Sequence, residues 1–241
     1  MSVLIVTGTD TGVGKTVVTA ALATLALARG ASVAVVKPGQ TGVEPGEPGD
    51  LADVRRLAGA DDLHEPARFP DPLSPAAAAR RAGMAPVALA VVADQVRALA
   101  GTRRLVLVEG AGGLLVRYDE DGATIADLAR LLGAPALVVV RPDLGTLNHT
   151  ALTLEALAHR GIELGGVVIG AWPEPPDLAM RCNIRDLETI AARPLDGALR
   201  AGAGALDPAE FLLAARSGLS PSLGGTFDAG TFRETYGGEN S

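Results

Sequence analysis

The densest run of chemistry-bearing residues lies near the start of the chain. Gly8-Thr9-Asp10-Thr11-Gly12-Val13-Gly14-Lys15-Thr16 follows a short apolar run and leads at once into Val17-Val18-Thr19-Ala20-Ala21-Leu22. Glycines in such a turn let successive backbone N–H groups converge on an anion, and the start of a helix adds positive potential. Lys15 can then reach the outer phosphates, and Thr16 offers a hydroxyl to Mg2+. The pattern is a stretched form of the usual phosphate-binding spacing. Thr9 stands five residues before Gly14, where a glycine is standard, and Gly8 comes one place earlier.

A phosphoryl-transferring loop works with a further carboxylate for its magnesium, set at the end of a neighbouring buried strand. Leu105-Val106-Leu107-Val108-Glu109 ends in such a residue and opens into Gly110-Ala111-Gly112-Gly113, which makes Glu109 the candidate. Lys37 closes another β-branched run as Val35-Val36-Lys37-Pro38, ahead of Gly39-Gln40-Thr41-Gly42. A lysine at the carboxyl end of a parallel strand faces the ligand crevice, although one at that position can also simply reach solvent. Asp50 heads a helical segment behind a Pro/Gly loop, where helix capping accounts for it as well as a metal does. His64, His149 and His159 form no spaced ligand set with one another or with Cys182. No local motif suggests a Ser-His-Asp or Cys-His arrangement, so phosphate carries the chemistry.

These side chains need rigid elements to aim them. Nearly continuous Val, Ile and Leu at residues 3–7, 32–37, 105–109, 136–141 and 166–170 predicts strands buried on both faces. Helix-compatible segments fall at 15–29, 51–58, 75–82, 86–100, 125–132, 148–160 and 177–192. That alternation predicts an α/β fold, one parallel sheet with helices on both faces. Residues 42–49 are too rich in Pro and Gly for regular structure and read as a mobile surface loop. From Ser217 onward Gly, Ser and Thr recur without period. A single domain is therefore expected over residues 1–216, with 217–241 as a flexible tail.

Composition narrows the function classes. At 241 residues, 48% apolar and 20% charged, the chain can bury a full core, which excludes global disorder. A net charge of −7 with 3% aromatic residues argues against nucleic acid as a partner, since phosphodiester binding needs clustered cations and stacking platforms. No stretch has the roughly 18 apolar residues of a membrane span, and the apolar run at the N-terminus reads as a strand, not a signal. The single cysteine excludes an intramolecular disulfide and suits a reducing, cytoplasmic setting.

With the phosphate loop, Lys37-Pro38, Val108-Glu109-Gly110-Ala111-Gly112-Gly113 and Leu144-Gly145-Thr146-Leu147-Asn148-His149-Thr150 present in this order, the chain closely resembles the dethiobiotin synthetase family. The family's own loop is the stretched Gly-Thr-x-Thr-x-x-Gly-Lys-Thr form, so the unusual spacing is itself a match. The resemblance implies a single α/β domain of the P-loop NTPase kind. It also implies a magnesium-dependent ligase that forms dethiobiotin from 7,8-diaminononanoate, CO2 or bicarbonate, and a nucleoside triphosphate, ordinarily ATP. The route runs through a carbamate and a carbamic-phosphoric mixed anhydride.

Carried over residue by residue, the resemblance has Thr11, Gly12, Val13, Gly14, Lys15, Thr16 and Val17 cradle the phosphates. Thr16, Asp50 and Glu109 would hold Mg2+. Lys37, Lys15 and Thr11 would act on the reacting groups, with Lys37 between carbamate and γ-phosphate. Gly110, Ala111, Gly112, Gly170, Ala171, Ala198, Leu199 and Arg200 would border the nucleotide. Lys37, Thr41 and the backbone near Gly112 would contact the diamine. Gly145, Thr146, Leu147 and Asn148 would reach across a twofold homodimer to the substrate's carboxylate in the partner's site.

Two positions depart from the family pattern. Gly12 stands where some members have an acid, and Gly170-Ala171-Trp172-Pro173 replaces the base-reading Asn-Asp of many members. Without that amide, weak selectivity for ATP over other nucleoside triphosphates is expected. A competing class, the nucleotide-switched partitioning and septum-placing proteins, carries a second lysine five residues before the loop lysine. That position is Asp10 here.

Overall fold

The computed structural model describes residues 2–237. In chain order its elements are β1 (Ser2–Gly8), α1 (Lys15–Ala28), β2 (Val33–Val36), β3 (Gln40–Thr41), α2 (Asp50–Ala58), β4 (Leu63–His64), β5 (Arg68–Phe69), α3 (Pro75–Ala82) and α4 (Leu89–Ala100). There follow β6 (Leu105–Glu109), α5 (Ile125–Leu132), β7 (Ala136–Val140), α6 (Thr146–His159), β8 (Leu164–Trp172), α7 (Leu178–Ala191), β9 (Gly197–Arg200), α8 (Pro208–Gly218) and α9 (Ala229–Tyr236). Seven strands pair in the order β4-β2-β6-β1-β7-β8-β9, every pairing parallel, and β3 pairs with β5 apart from them.

Side chains alternate across a strand, so a sheet with helices on both faces needs apolar residues at every position. Ile5, Val106, Val108, Val138 and Val140 pack into the core on one face, with α4, α5 and α7. Val6, Leu107, Leu137 and Val139 pack into a second core on the other, with α1, α2 and α8. The carboxyl ends of β1, β2 and β6 therefore meet at one edge, and the phosphate loop, Lys37 and Glu109 all emerge there. Among the described residues no helix is long and apolar enough to cross a membrane.

Two expectations need correction. Residues 42–49 lack regular structure, but Arg68 ties them down by donating to the carbonyls of Glu44 at 3.1 Å and Glu47 at 2.7 Å. Residues 218–237 are an ordered part of the fold, not a tail. Leu219 is fully buried and Phe227 nearly so. In α9, Phe232 and Tyr236 lie edge-on to Trp172, with ring centroids 4.9 and 5.4 Å away, and Arg233 pairs with Glu188 of α7. The helical spacing of Phe232 and Tyr236 was the signal in the sequence, hidden by the surrounding small and polar residues. Residues 238–241 lie outside the described part.

Phe232→Ala should lower unfolding stability by about 1–3 kcal/mol through lost apolar burial and ring contacts. It should also red-shift the emission of Trp172, the sole tryptophan. A urea titration followed by fluorescence checks both, and wild-type values for both would mean that α9 is not docked there.

Candidate functional site

A cleft of about 640 Å3 opens at the carboxyl edge of the sheet. Its walls include Thr11, Gly12, Gly14, Lys15 and Thr16 from the phosphate loop, Lys37 and Thr41 from the strand after it, and Asp50, Glu109, Ala111 and Gly112. Gln40, Ser74 and Pro75 also face it. The phosphate loop turns through left-handed glycines, with φ of 72° at Gly12 and 97° at Gly14, and delivers Lys15 to the start of α1. Gly14 and Val13 rest directly on β8. A Cβ placed on Gly170 would lie 1.9 Å from the Val13 carbonyl oxygen, so only glycine fits beneath the loop.

Lys37 is the centre of the site. Its backbone N–H donates to the His64 carbonyl at 2.8 Å, continuing the β2–β4 register one residue past the strand. That directs the side chain inward, where it is only 3% exposed, so the solvent-facing alternative does not apply. Its ammonium lies 2.5 Å from Asp50 Oδ2 and 2.7 Å from Glu109 Oε1, and donates to the Gly110 carbonyl at 3.3 Å. Burial alone would depress its pKa, but the Glu109 and Asp50 carboxylates outweigh it and hold the ammonium above the ordinary lysine range. Lys15 shows the reverse balance. Burial and the nearby Lys37 charge lower it to about 8, and its ammonium donates to the Asp10 carbonyl at 2.9 Å.

Asp50 is not used as a helix cap. Gly49 is the N-cap of α2, and the Asp50 N–H donates instead to Gln40 Oε1 at 2.9 Å. Gln40, which the sequence reading left without a role, thus fixes the start of α2 so that the Asp50 carboxylate meets Lys37. Its place between Gly39 and Thr41 was the available hint. Arg141 was likewise missed. It leaves the end of β7 and donates to the Thr11 carbonyl at 2.8 Å, bracing the outer turn of the phosphate loop.

The donors suit a hard divalent cation bound together with phosphate. Thr16 Oγ1 donates to Glu109 Oε1 at 2.9 Å, while Glu109 Oε2 is buried without a hydrogen-bond partner. Asp50 adds another carboxylate oxygen, and every candidate ligand is oxygen, as Mg2+ prefers. Among the described residues no group of three or more His, Cys, Asp and Glu side chains gathers to form an all-protein cage. One or two carboxylates plus a hydroxyl is what a metal sharing its shell with phosphates and water requires.

The remaining expected residues are spread over several places. Val13, Ala198 and Leu199 are core side chains. Val17 faces Gly204. Gly170, Ala171 and Arg200 lie at the ends of β8 and β9, with Ala171 and Arg200 exposed. The Trp172 ring beside them is already occupied by α9. Gly145, Thr146, Leu147 and Asn148 open α6 and are not among the residues that line the cleft. The Gly110 and Ala111 N–H groups are committed, to the Val6 carbonyl at 2.9 Å and the Tyr118 hydroxyl at 2.7 Å.

The strand order, the loop between β1 and α1 and the carboxylates beside it define a P-loop nucleotide-binding α/β protein. Solved structures share the fold. The septum site-determining protein MinD of Pyrococcus horikoshii, complexed with Mg-ADP, superposes with a TM-score of 0.54 at 17% identity, covering 88% of this chain and 86% of that one. Apo McdA from Cyanthece gives 0.57 at 16% identity over 93% of this chain and 100% of that one. Within this class the AAA domain family matches residues 2–201. The ATP-dependent dethiobiotin synthetase BioD of Parafrankia sp. is 64% identical over 236 residues, 98% of this chain and 99% of that protein. The BioD of Streptomyces coelicolor is 57% identical over 237 residues, 98% and 100% of the two chains. The chain belongs to the dethiobiotin synthetase family.

Removing one member of a buried ion pair leaves the other charge uncompensated, which costs more than removing both. Lys37→Met should therefore destabilise the fold by about 3–5 kcal/mol. Adding Glu109→Gln should recover part of that loss, with a coupling of about 2 kcal/mol or more in a denaturation double-mutant cycle. Additive effects would mean the pair is not coupled.

Proposed function

We propose that the protein is an ATP-dependent dethiobiotin synthetase that closes the ureido ring of 7,8-diaminononanoate with CO2. The observation that carries this reading is the meeting, in one cleft, of Lys15 and Thr16 with Lys37, Asp50 and Glu109. The family relatives named for that activity support it along nearly the full chain.

One amine and CO2 give a carbamate. A carbamate oxygen attacks the γ-phosphorus, the bond to the nucleoside diphosphate breaks, and a carbamic-phosphoric anhydride results. The second amine then attacks the carbonyl carbon, expels phosphate and closes the ring. No protein nucleophile is needed, so the residues act by positioning and by offsetting charge. The Thr11–Val17 loop cradles the phosphates and Lys15 neutralises the outer ones. Lys37, its ammonium favoured by the Glu109 and Asp50 carboxylates beside it, attracts both the carbamate and the γ-phosphoryl oxygens. Thr41 and the Gly112 backbone orient the diamine.

Thr16, Asp50 and Glu109 would hold Mg2+, which when bound spreads the charge of the phosphates during transfer. The first turn of α6, with the Leu147 and Asn148 N–H groups at a helix N-terminus, suits a carboxylate. It reaches a substrate only across a homodimer. Leu144 and Leu152, 87% and 58% exposed around that turn, are the apolar surface a second copy would cover. The lone cysteine, half-buried and unpaired, fits a cytoplasmic enzyme.

Phosphate release from Mg-ATP and bicarbonate should require 7,8-diaminononanoate and be matched by dethiobiotin in mass spectrometry; diamine-independent release would overturn the reading. Lys37→Ala should retain nucleotide binding while lowering kcat a hundredfold or more, about 3 kcal/mol of transition-state stabilisation. An unchanged kcat would remove Lys37 from the mechanism.

Base selectivity should be weak. No side-chain amide stands at Gly170-Ala171, and the Trp172 ring is taken by α9. Values of kcat/KM for ATP, CTP and GTP should lie within a hundredfold of one another, and a larger preference for ATP would contradict this.

A further inference from the structure

Tyr118 has no part in the chemistry described so far, yet it lies directly behind the cleft wall. It is fully buried, and its hydroxyl accepts the Ala111 N–H at 2.7 Å. Ala111 belongs to the turn after β6, next to Gly110, whose carbonyl takes the Lys37 ammonium, and Gly112, whose backbone lines the cleft. The same phenol ring lies 3.6 Å from where a Cβ on Gly39 would sit, behind the turn that follows Lys37. One side chain thus backs both turns that bring Lys37 and Glu109 together.

Tyr118 is presented from a platform independent of the turn it holds. Its N–H donates to the Ala123 carbonyl at 2.8 Å, and Arg117 bridges Thr124 in antiparallel fashion. Thr124 and Asp127 then form a capping box at the start of α5. The Arg117 carbonyl also accepts the Ala76 N–H at 3.2 Å, tying the platform to α3. The turn admits only glycine at position 112, where φ is +69° and a Cβ would approach Val116 Cγ2 to 2.8 Å. With Gly110 N–H on the Val6 carbonyl and Ala111 N–H on Tyr118, Gly112 is the first residue after Glu109 whose N–H no described protein group takes.

We propose that Tyr118 is a positioning residue for the diamine side of the site. Its hydroxyl pins the Ala111 N–H and thereby sets the orientation of the Gly112 backbone toward the substrate. This rests on the reading that Gly112 faces the diamine. Without the hydroxyl, the Ala111 N–H loses its protein acceptor, and the Gly110–Gly112 peptides gain freedom to rotate. No hydrogen bond connects Tyr118 to Lys15 or Thr16, so the larger effect falls on the diamine and the smaller on the nucleotide.

Tyr118→Phe keeps the ring and removes only the acceptor. KM for 7,8-diaminononanoate should rise about tenfold, with kcat falling less than that and affinity for Mg-ADP staying within twofold. Hydrogen exchange of a peptide spanning residues 110–113 should accelerate in the unliganded variant, while one spanning residues 11–17 keeps its wild-type rate. Unchanged exchange at 110–113 would overturn the clamp. Faster exchange with a loss of Mg-ADP affinity and an unchanged diamine KM would overturn the diamine assignment. Should the variant not fold, the Ala111 amide of the wild-type protein still decides, because rapid exchange there would exclude the hydrogen bond. Absence of diamine-dependent turnover in the wild type would count against the synthetase reading itself and leave the exchange result standing.

Discussion

The buried Lys37 ammonium is the point on which the site depends. A charge this deep is stable only with compensation at hydrogen-bond distance, and Glu109 at 2.7 Å and Asp50 at 2.5 Å provide it. That requirement dictates much of the local architecture. β2 and β6 must be neighbours in register so that their ends meet, and α2 must begin where its first residue can reach across. Gln40 supplies the last constraint by accepting the Asp50 N–H. The two carboxylates around this ammonium leave one buried oxygen without a partner, Glu109 Oε2. Lys15 stands beside them, its ammonium weakened by burial and by Lys37. Such a charge balance is poised to rearrange when phosphates and a divalent cation enter, because each incoming charge finds an opposite partner already fixed.

Backbone packing around this centre is as restrictive as the charges. The phosphate loop is not a free-standing turn, since Gly170 lets it lie directly on β8 and Arg141 holds its outer carbonyl. On the other side, the turn after Glu109 is fitted between Val116 and the phosphate loop, where a Cβ on Gly113 would lie 3.4 Å from the Gly8 and Thr9 carbonyl oxygens. Small residues in the motifs are thus spatial requirements as much as conformational ones. The same glycines that bare N–H groups to an anion also let two loops from different strands share one wall.

How much of this was legible in the sequence depended on whether the signal was local. Strands β1, β6 and β7 and helices α3 and α5 were readable because continuous β-branched runs and flanking Gly, Pro and Thr mark them without reference to the rest of the chain. Lys15 and Thr16 were readable from the glycine loop that precedes them, and Glu109 from its place at the end of such a run. The two-residue strands β3, β4 and β5 were not, since so short a pairing exists only through its partner. Asp50 was ambiguous because capping and ion pairing use the same residue at the same helix position, and only the distance to Lys37 separates them. α8 and α9 failed differently. Apolar residues are sparse in α9, and those of α8 join the core, like those of α9, only when Leu199 and Trp172 are already in place to receive them.

The end of β8 shows how packing and specificity compete for the same residues. In a parallel sheet this edge is where a base-reading side chain would have to stand. Here Gly170 is committed to supporting the phosphate loop, and Trp172 is turned into the core by Phe232 and Tyr236. Ala171, between them, is exposed but carries no hydrogen-bonding group. Restoring an amide at 170 would drive its Cβ into the Val13 carbonyl, so a substitution there would disturb phosphate binding before it could add base recognition. Only position 171 is open to such a change. On the proposed reading, nucleotide recognition therefore rests on the groups that every nucleoside triphosphate shares, and specificity on the diamine, which is consistent with a site whose strongest fixed interactions surround Lys37.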